Sequence, residues 1–83
     1  MSKFINGYEF RKSKVKNKKY DVFKNGKKIV SFGDNRYQQY FDKIGMYSHK
    51  NHNDKKRRRL YYARHGKTAK LHSAKYFSHK YLW

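Results

Sequence analysis

The dipeptide Asn25-Gly26 constrains the fold of this chain more than any other local feature. It stands between Tyr20–Lys24 and Lys27–Phe32, two runs rich in β-branched and aromatic residues. A tight turn between two strands requires positive φ at both turn positions, and Asn-Gly meets that requirement well. The sequence therefore predicts an antiparallel β-hairpin that turns at this dipeptide.

A two-residue turn also fixes the register of the hairpin. The expected pairs are Lys24 with Lys27, Phe23 with Lys28, Val22 with Ile29 and Asp21 with Val30. One face then carries Tyr20, Val22 and Ile29, and the other carries Phe23, Val30 and Phe32. Because apolar side chains point to both faces, we expect the core to cover one side and a further contact to touch the other.

The segment after the hairpin shows the spacing of a helix. Its apolar residues recur at i, i+3, i+4 and i+7, which places them on one helix face: Tyr37, Tyr40, Phe41 and Ile44. Asp34 precedes them as a candidate N-cap, and Gly45 follows them as a stop signal. The pattern predicts a helix from Asp34 to Ile44 that covers the sheet.

Two further helices are predicted in the second half of the chain. The first spans residues 54–65, with Asn53 before it as a candidate N-cap and Gly66 just past its end. The adjacent Tyr61 and Tyr62 are not expected to face inward together, which leaves one of them for a binding surface. The run from 73 to 83 is a short helix whose large side chains dock on the core: Tyr76, Phe77, Leu82 and Trp83.

These elements predict a small α+β fold, an antiparallel β-hairpin or meander packed by two or three short helices. With 83 residues the chain makes a single small basic domain. Residues 1–18 form a basic N-terminal arm or add an extra strand within Tyr8–Lys16, and residues 19–83 form the core. The expected core residues include Val22, Ile29, Tyr37, Phe41, Ile44 and Trp83.

Net charge indicates what such a domain binds. Lysine and arginine number 23 against 5 aspartates and glutamates, so the chain carries +18 at pH 7. Self-repulsion on this scale opposes compaction unless a polyanion supplies the opposite charge. The aromatic residues (9 Tyr, 6 Phe and 1 Trp) nevertheless provide buried area that disordered chains lack. We expect a folded but marginally stable domain with a polyanionic partner.

The cations lie in two blocks. Arg11–Lys28 has a net charge of +8 and Asp54–Lys80 one of +9, whereas residues 29–53 carry +1. A solvated face is the ordinary explanation of a charge run, but +18 exceeds what solubility requires. Arginine binds phosphate through paired hydrogen bonds, and lysine adds charge. The candidate nucleic-acid-binding residues are Lys18, Lys19, Lys27, Lys28, Lys55, Lys56, Arg57, Arg58, Arg59, Tyr62, Arg64 and Lys67.

Catalysis has no positive support in the sequence. His49 and His52 stand close to Asp54, and His-Asn clusters of this kind occur in metal-dependent nucleases. There is no cysteine, no second carboxylate beside Asp54, no nucleophile motif and no glycine-rich phosphate loop. We therefore expect no catalytic residue, no metal, no cofactor and no small-molecule substrate.

The chain also lacks the marks of secretion and of membrane insertion. Without cysteine it has no disulfide framework of the kind that stabilises small secreted domains. No apolar run near Met1 resembles a signal peptide, and no stretch approaches the 18 apolar residues of a membrane span. We expect an intracellular or intraparticle protein that is not secreted and has no membrane partner.

A set of short motifs runs through about Lys19–Trp83: Tyr20–Phe23, Lys27–Gly33, Arg36–Tyr40, Asp42–Gly45, His52–Arg58, Tyr61–Gly66 and Tyr76–Trp83. With these motifs the chain resembles the short basic proteins of unassigned function that large nucleocytoplasmic DNA viruses of algae and amoebae encode. The most specific parts of the resemblance are Arg64-His65 and the closing Leu82-Trp83. Related sequences often carry an acidic residue soon after the Arg-His pair, whereas Lys67–Lys75 has none, which favours a purely basic contact surface.

The resemblance implies a viral protein located in the virion, the host nucleus or a cytoplasmic virus factory. Together with the charge, it predicts a non-enzymatic, sequence-independent DNA-binding protein that takes part in genome packaging or in a nucleoid. The alternative is a minor capsid protein whose cations bridge acidic surfaces of other virion proteins. A metal-dependent nuclease is the third hypothesis.

Overall fold

The computed structural model of the protein describes residues 2–83 and confirms the α+β architecture. Four antiparallel strands form one sheet in chain order: β1 (Ser2–Ile5), β2 (Tyr8–Lys12), β3 (Lys18–Lys24) and β4 (Lys27–Asp34). Two α-helices follow, α1 (Lys55–His65) and α2 (Ala74–Tyr81), and a single 3₁₀ turn lies at Ser48–Lys50. Within residues 2–83, no helix has the length and apolar character that crossing a membrane requires.

Both outer hairpins turn at an Asn-Gly dipeptide. The predicted turn is confirmed, because Asn25 and Gly26 have φ values of 52° and 79°. Asn6 and Gly7 adopt the same conformation, with φ values of 54° and 84°, and connect β1 to β2. This second copy of the signal identifies the N-terminal segment as strands and not as an arm.

A β-bulge changes the register that the turn predicts for β3 and β4. The observed pairs are Lys24–Lys27, Phe23–Lys28, Val22–Val30, Asp21–Ser31 and Tyr20–Phe32. The first two agree with the prediction, but Ile29 is then left unpaired. Because side chains alternate along a strand, one extra residue moves all later β4 side chains to the opposite face. Val30 and Phe32 therefore share the face of Tyr20 and Val22, and their predicted placement was wrong.

The core forms where α2 packs against this face of the sheet. Ring contacts cross the interface, with centroids 4.8 Å apart for Phe10 and Tyr81 and 5.5 Å apart for Phe32 and Phe77. The predicted docking of the C-terminal segment is confirmed. The buried apolar residues are Tyr8, Phe10, Tyr20, Val22, Phe32, Ile44, Phe77, Tyr81 and Leu82, and the partly buried Ile29 and Trp83 pack against them.

The predicted helix from position 34 to 44 does not form. Its backbone bonds instead to distant segments, because Phe41 N donates to Leu82 O and Lys43 N donates to Tyr81 O. Two residues that were expected in the core are exposed as a result: 63% of Tyr37 and 47% of Phe41 are accessible to solvent. The loop therefore lies along the C-terminal segment and leaves two aromatic rings on the surface.

Asp42 holds this loop against the sheet. Its carboxylate accepts hydrogen bonds from the Tyr20 hydroxyl and from the main-chain N–H groups of Ile44 and Tyr47, the latter two at 2.8 Å. Asp42 is 3% exposed and Tyr20 is fully buried. A buried carboxylate is tolerated when donors surround it, so this residue is the polar link between loop and core.

Candidate nucleic-acid interface

Helix α1 begins one residue later than the sequence indicates. Asp54, and not Asn53, is its N-cap, and the carboxylate accepts from the N–H groups of Lys56 and Arg57. Gly66 ends the helix as predicted. The cap places a negative charge at the positive end of the helix dipole, where the following cations are unfavourable. The Asp54 carboxylate therefore offsets part of the unfavourable interaction between these cations and the helix dipole.

No residue of α1 is buried. Two adjacent tyrosines attach the helix to the rest of the domain. Tyr61 shares a hydrogen bond with His79 Nδ1, and Tyr62 donates to His79 O. Both tyrosines are half-buried, so the prediction that only one faces inward was wrong. Adjacent helical residues point 100° apart, and these two straddle the line of contact.

Two arginines of the cationic run also anchor the helix. Arg58 Nε donates to the main-chain oxygen of Trp83 at 2.6 Å, and its guanidinium lies over the rings of Tyr40 and Tyr62. Arg57 donates to Gln38 Oε1 at 2.9 Å. These two predicted binding residues therefore have structural partners, although both remain exposed.

The other cations of this region are available for a ligand. Within residues 2–83, none of them makes a side-chain hydrogen bond or an ion pair, and all are exposed: Lys55, Lys56, Arg59, Arg64 and Lys67. We call the exposed residues Lys55, Lys56, Arg59, Leu60 and Ala63 the outer face of α1. A helix that is polar on nearly every side gains little from packing.

All five acidic residues have ion-pair or hydrogen-bond partners within the domain. Glu9, Asp21 and Asp34 form ion pairs with Arg11, Lys28 and Arg36. Asp42 accepts from the core, and Asp54 caps α1. Over the described part of the chain, only three of the 23 cations have an acidic partner within 4 Å.

A groove of about 720 Å³ runs between the end of the β3–β4 hairpin, α1 and α2. We call it the basic groove. Its lining combines cations from three elements with aromatic rings: Lys18, Arg57, Arg64, Lys75, Tyr37 and Trp83. A second, smaller groove of about 520 Å³ on the other side of α1 includes Lys55, Arg59 and Lys67. Helix α1 is therefore a cationic ridge between two grooves.

Of the predicted binding residues of the first basic block, the structure brings Lys18 and the buried Lys19 to this region, whereas Lys27 and Lys28 lie elsewhere. Lys18 reaches the basic groove, but Lys27 lies at the opposite end of the hairpin, where it pairs with Lys24. Lys28 lies beside it and forms an ion pair with Asp21 at 3.5 Å. Only the C-terminal block and Lys18 therefore form one candidate surface.

Lys19 was predicted to bind nucleic acid, and this prediction was wrong. The residue is 2% exposed and cannot serve as an open phosphate contact. Its stem packs against Gly33, where an added Cβ would lie 3.1 Å from Lys19 Cβ and 3.0 Å from a methyl group of Leu82. Burial lowers the pKa of the Lys19 ammonium to about 8. The folded state thus carries a cation that it accommodates poorly.

We expect Lys19→Met to raise the free energy of unfolding at pH 7 by about 1 kcal/mol or more. The folded-state pKa lies below the ordinary 10.5, so the wild type gains stability as pH rises from about 8 to 10.5. The variant lacks this gain, so the difference in melting temperature between variant and wild type should be smaller at pH 10 than at pH 7. Lys18→Met is the control, and a lower melting temperature for Lys19→Met would contradict the interpretation.

Two histidines pack where α1 is attached to the domain. Within residues 2–83, no group of three or more histidine, aspartate or glutamate side chains is arranged to hold an ion. His52 instead accepts from Asp54 N through Nδ1, and burial lowers the pKa of its ring. Burial also lowers the pKa of His79, which lies under α1. These two rings are packing residues of the helix attachment.

Fold and site together define a class, a small and strongly basic α+β domain with a cationic helix attached to an aromatic core. The chain belongs to a family of unknown function, DUF5754, whose model matches residues 8–65. The match includes β2, β3, β4, the loop and α1. No curated protein and no solved structure matches the chain significantly.

Proposed function

We propose that this protein binds nucleic acid, DNA above all, through phosphate contacts of the outer face of α1 and its neighbouring cations. The binding is independent of sequence and involves no catalysis. In keeping with the viral resemblance, the proposed place of action is a virion, the host nucleus or a virus factory, with a role in packaging or in a nucleoid.

One observation carries the proposal. The domain uses all of its carboxylates internally, yet it leaves the cations of the outer face without an acidic partner. A phosphate backbone supplies closely spaced negative charge, and its neutralisation releases condensed counterions. Helix α1 has no buried residue of its own and therefore gains little stability from packing. A bound polyanion would stabilise it by reducing the charge repulsion along the helix.

A salt titration tests the proposal. Fluorescence anisotropy with two labelled duplexes of equal length and unrelated sequence should give similar affinities. The log-log slope against salt concentration should be roughly −0.9 for each phosphate neutralised. A flat salt response, or a strong preference for one duplex, contradicts the proposal.

Two comparisons separate this function from the other hypotheses. Polyglutamate of matched charge should compete poorly with DNA, whereas equal competition favours a capsid protein that bridges acidic surfaces. Duplex DNA that is incubated with the protein and Mg²⁺ should stay intact on a gel. Cleavage that EDTA prevents would favour the nuclease.

A further inference from the structure

The geometry points to a more specific ligand for the basic groove: unpaired nucleotides of a single strand, with phosphate on the cations and a base against Tyr37. This inference rests on the proposed function and adds to it a preference for single strands over duplexes. The duplex contacts remain assigned to the outer face of α1.

Charge is the first observation. Lys18, Arg57 and Arg64 line the basic groove from two elements, and Lys75 adds a cation from α2. The one acidic residue in the lining is Asp34, whose carboxylate accepts two side-chain hydrogen bonds from Arg36 at 2.7 and 3.0 Å. These bonds hold the pKa of Asp34 at about 2. The acidic charge is thus compensated locally, and the groove remains positive.

Exposed aromatic surface is the second observation. Tyr37 lines the groove and is 63% exposed, and the Arg36 guanidinium lies 5.5 Å from its ring centroid. The lining also includes Tyr61 and Trp83, whose rings stack in parallel with centroids 4.3 Å apart. Cationic grooves with open aromatic rings bind single strands, because every base has a flat face for stacking.

The accessibility of the base favours a single strand over a duplex. A groove of about 720 Å³ is within the range of sites for small ligands, which is enough for a nucleotide. A paired base reaches Tyr37 only after it leaves its stack, which costs unstacking and unpairing free energy. An unpaired base does not incur that cost.

Three probes of equal length test the inference: a single strand without self-complementarity, its duplex, and an abasic phosphodiester strand. At equal salt the wild type should bind the single strand at least about fivefold more tightly than the other two. Tyr37→Ala should remove this advantage and leave duplex and abasic affinities unchanged. Tyr37→Phe should retain it, because the ring and not the hydroxyl makes the contact.

Phe41→Ala is the matched control, since Phe41 is also an exposed ring (47%) but lies outside the groove lining. Equal losses in both alanine variants, or no loss for Tyr37→Ala, overturn the inference. So does equal binding of all three probes, although the contacts on α1 would then stand. Failure of every probe to bind refutes the proposed function, and this inference with it.

Discussion

Asp42→Ala is expected to lower the free energy of unfolding by about 3–5 kcal/mol, which brings the free protein close to its unfolding midpoint at room temperature. The change removes the acceptor for the Tyr20 hydroxyl and for the N–H groups of Ile44 and Tyr47. Each buried donor without a partner costs about 1–3 kcal/mol. Small domains have stabilities of only about 5–15 kcal/mol, and the repulsion of +18 charges places this one near the lower end.

Circular dichroism during thermal or urea unfolding measures the loss. Asp34→Ala is the matched control, because its carboxylate bonds to Arg36 near the surface and exposed ion pairs contribute about 0–1 kcal/mol. Tyr20→Phe should have an intermediate effect, since it removes one of the three donors to Asp42 together with the acceptor for Met46 N. Equal, small losses for Asp42→Ala and Asp34→Ala would show that the loop does not depend on this carboxylate.

Replacing Lys55, Lys56 and Arg59 with glutamine is expected to weaken duplex binding on the order of 100-fold at physiological salt. The reason is the loss of up to about three phosphate contacts, which also reduces the salt slope by up to about three units. The free protein should be as stable as the wild type or slightly more so, because like charges near the start of α1 repel one another and the helix dipole.

A control with the same change in net charge replaces the exposed Lys14, Lys16 and Lys27 with glutamine. An equal loss of affinity in this control would show that total charge, and not the outer face of α1, governs binding.

Arg58→Gln should affect stability, since it removes the bond to Trp83 O and the contact with Tyr40. We expect it to lower stability by about 1 kcal/mol or more.

Elements with a complete local signal could be predicted from the sequence. Asn25-Gly26 specifies its turn because both residues adopt positive φ readily. Helix α1 ends where Gly66 follows the last helical residue, and α2 begins after Ser73, whose side chain accepts from Tyr76 N. The excess of cations was equally visible, because ionisation at neutral pH depends little on the fold.

The tertiary structure decided the rest, because long-range partners override local preference. The helical spacing at positions 37–44 is real, but the N–H groups of Phe41 and Lys43 bond to residues about forty positions away. One unpaired residue in β4 reverses the facing of Phe32. The burial of Lys19 and the basic groove likewise depend on where the C-terminal segment packs, as Leu82 lies against Gly33 and Trp83 stacks on Tyr61. Charge and turn chemistry are local properties of the chain, whereas a groove exists only after distant segments have packed together.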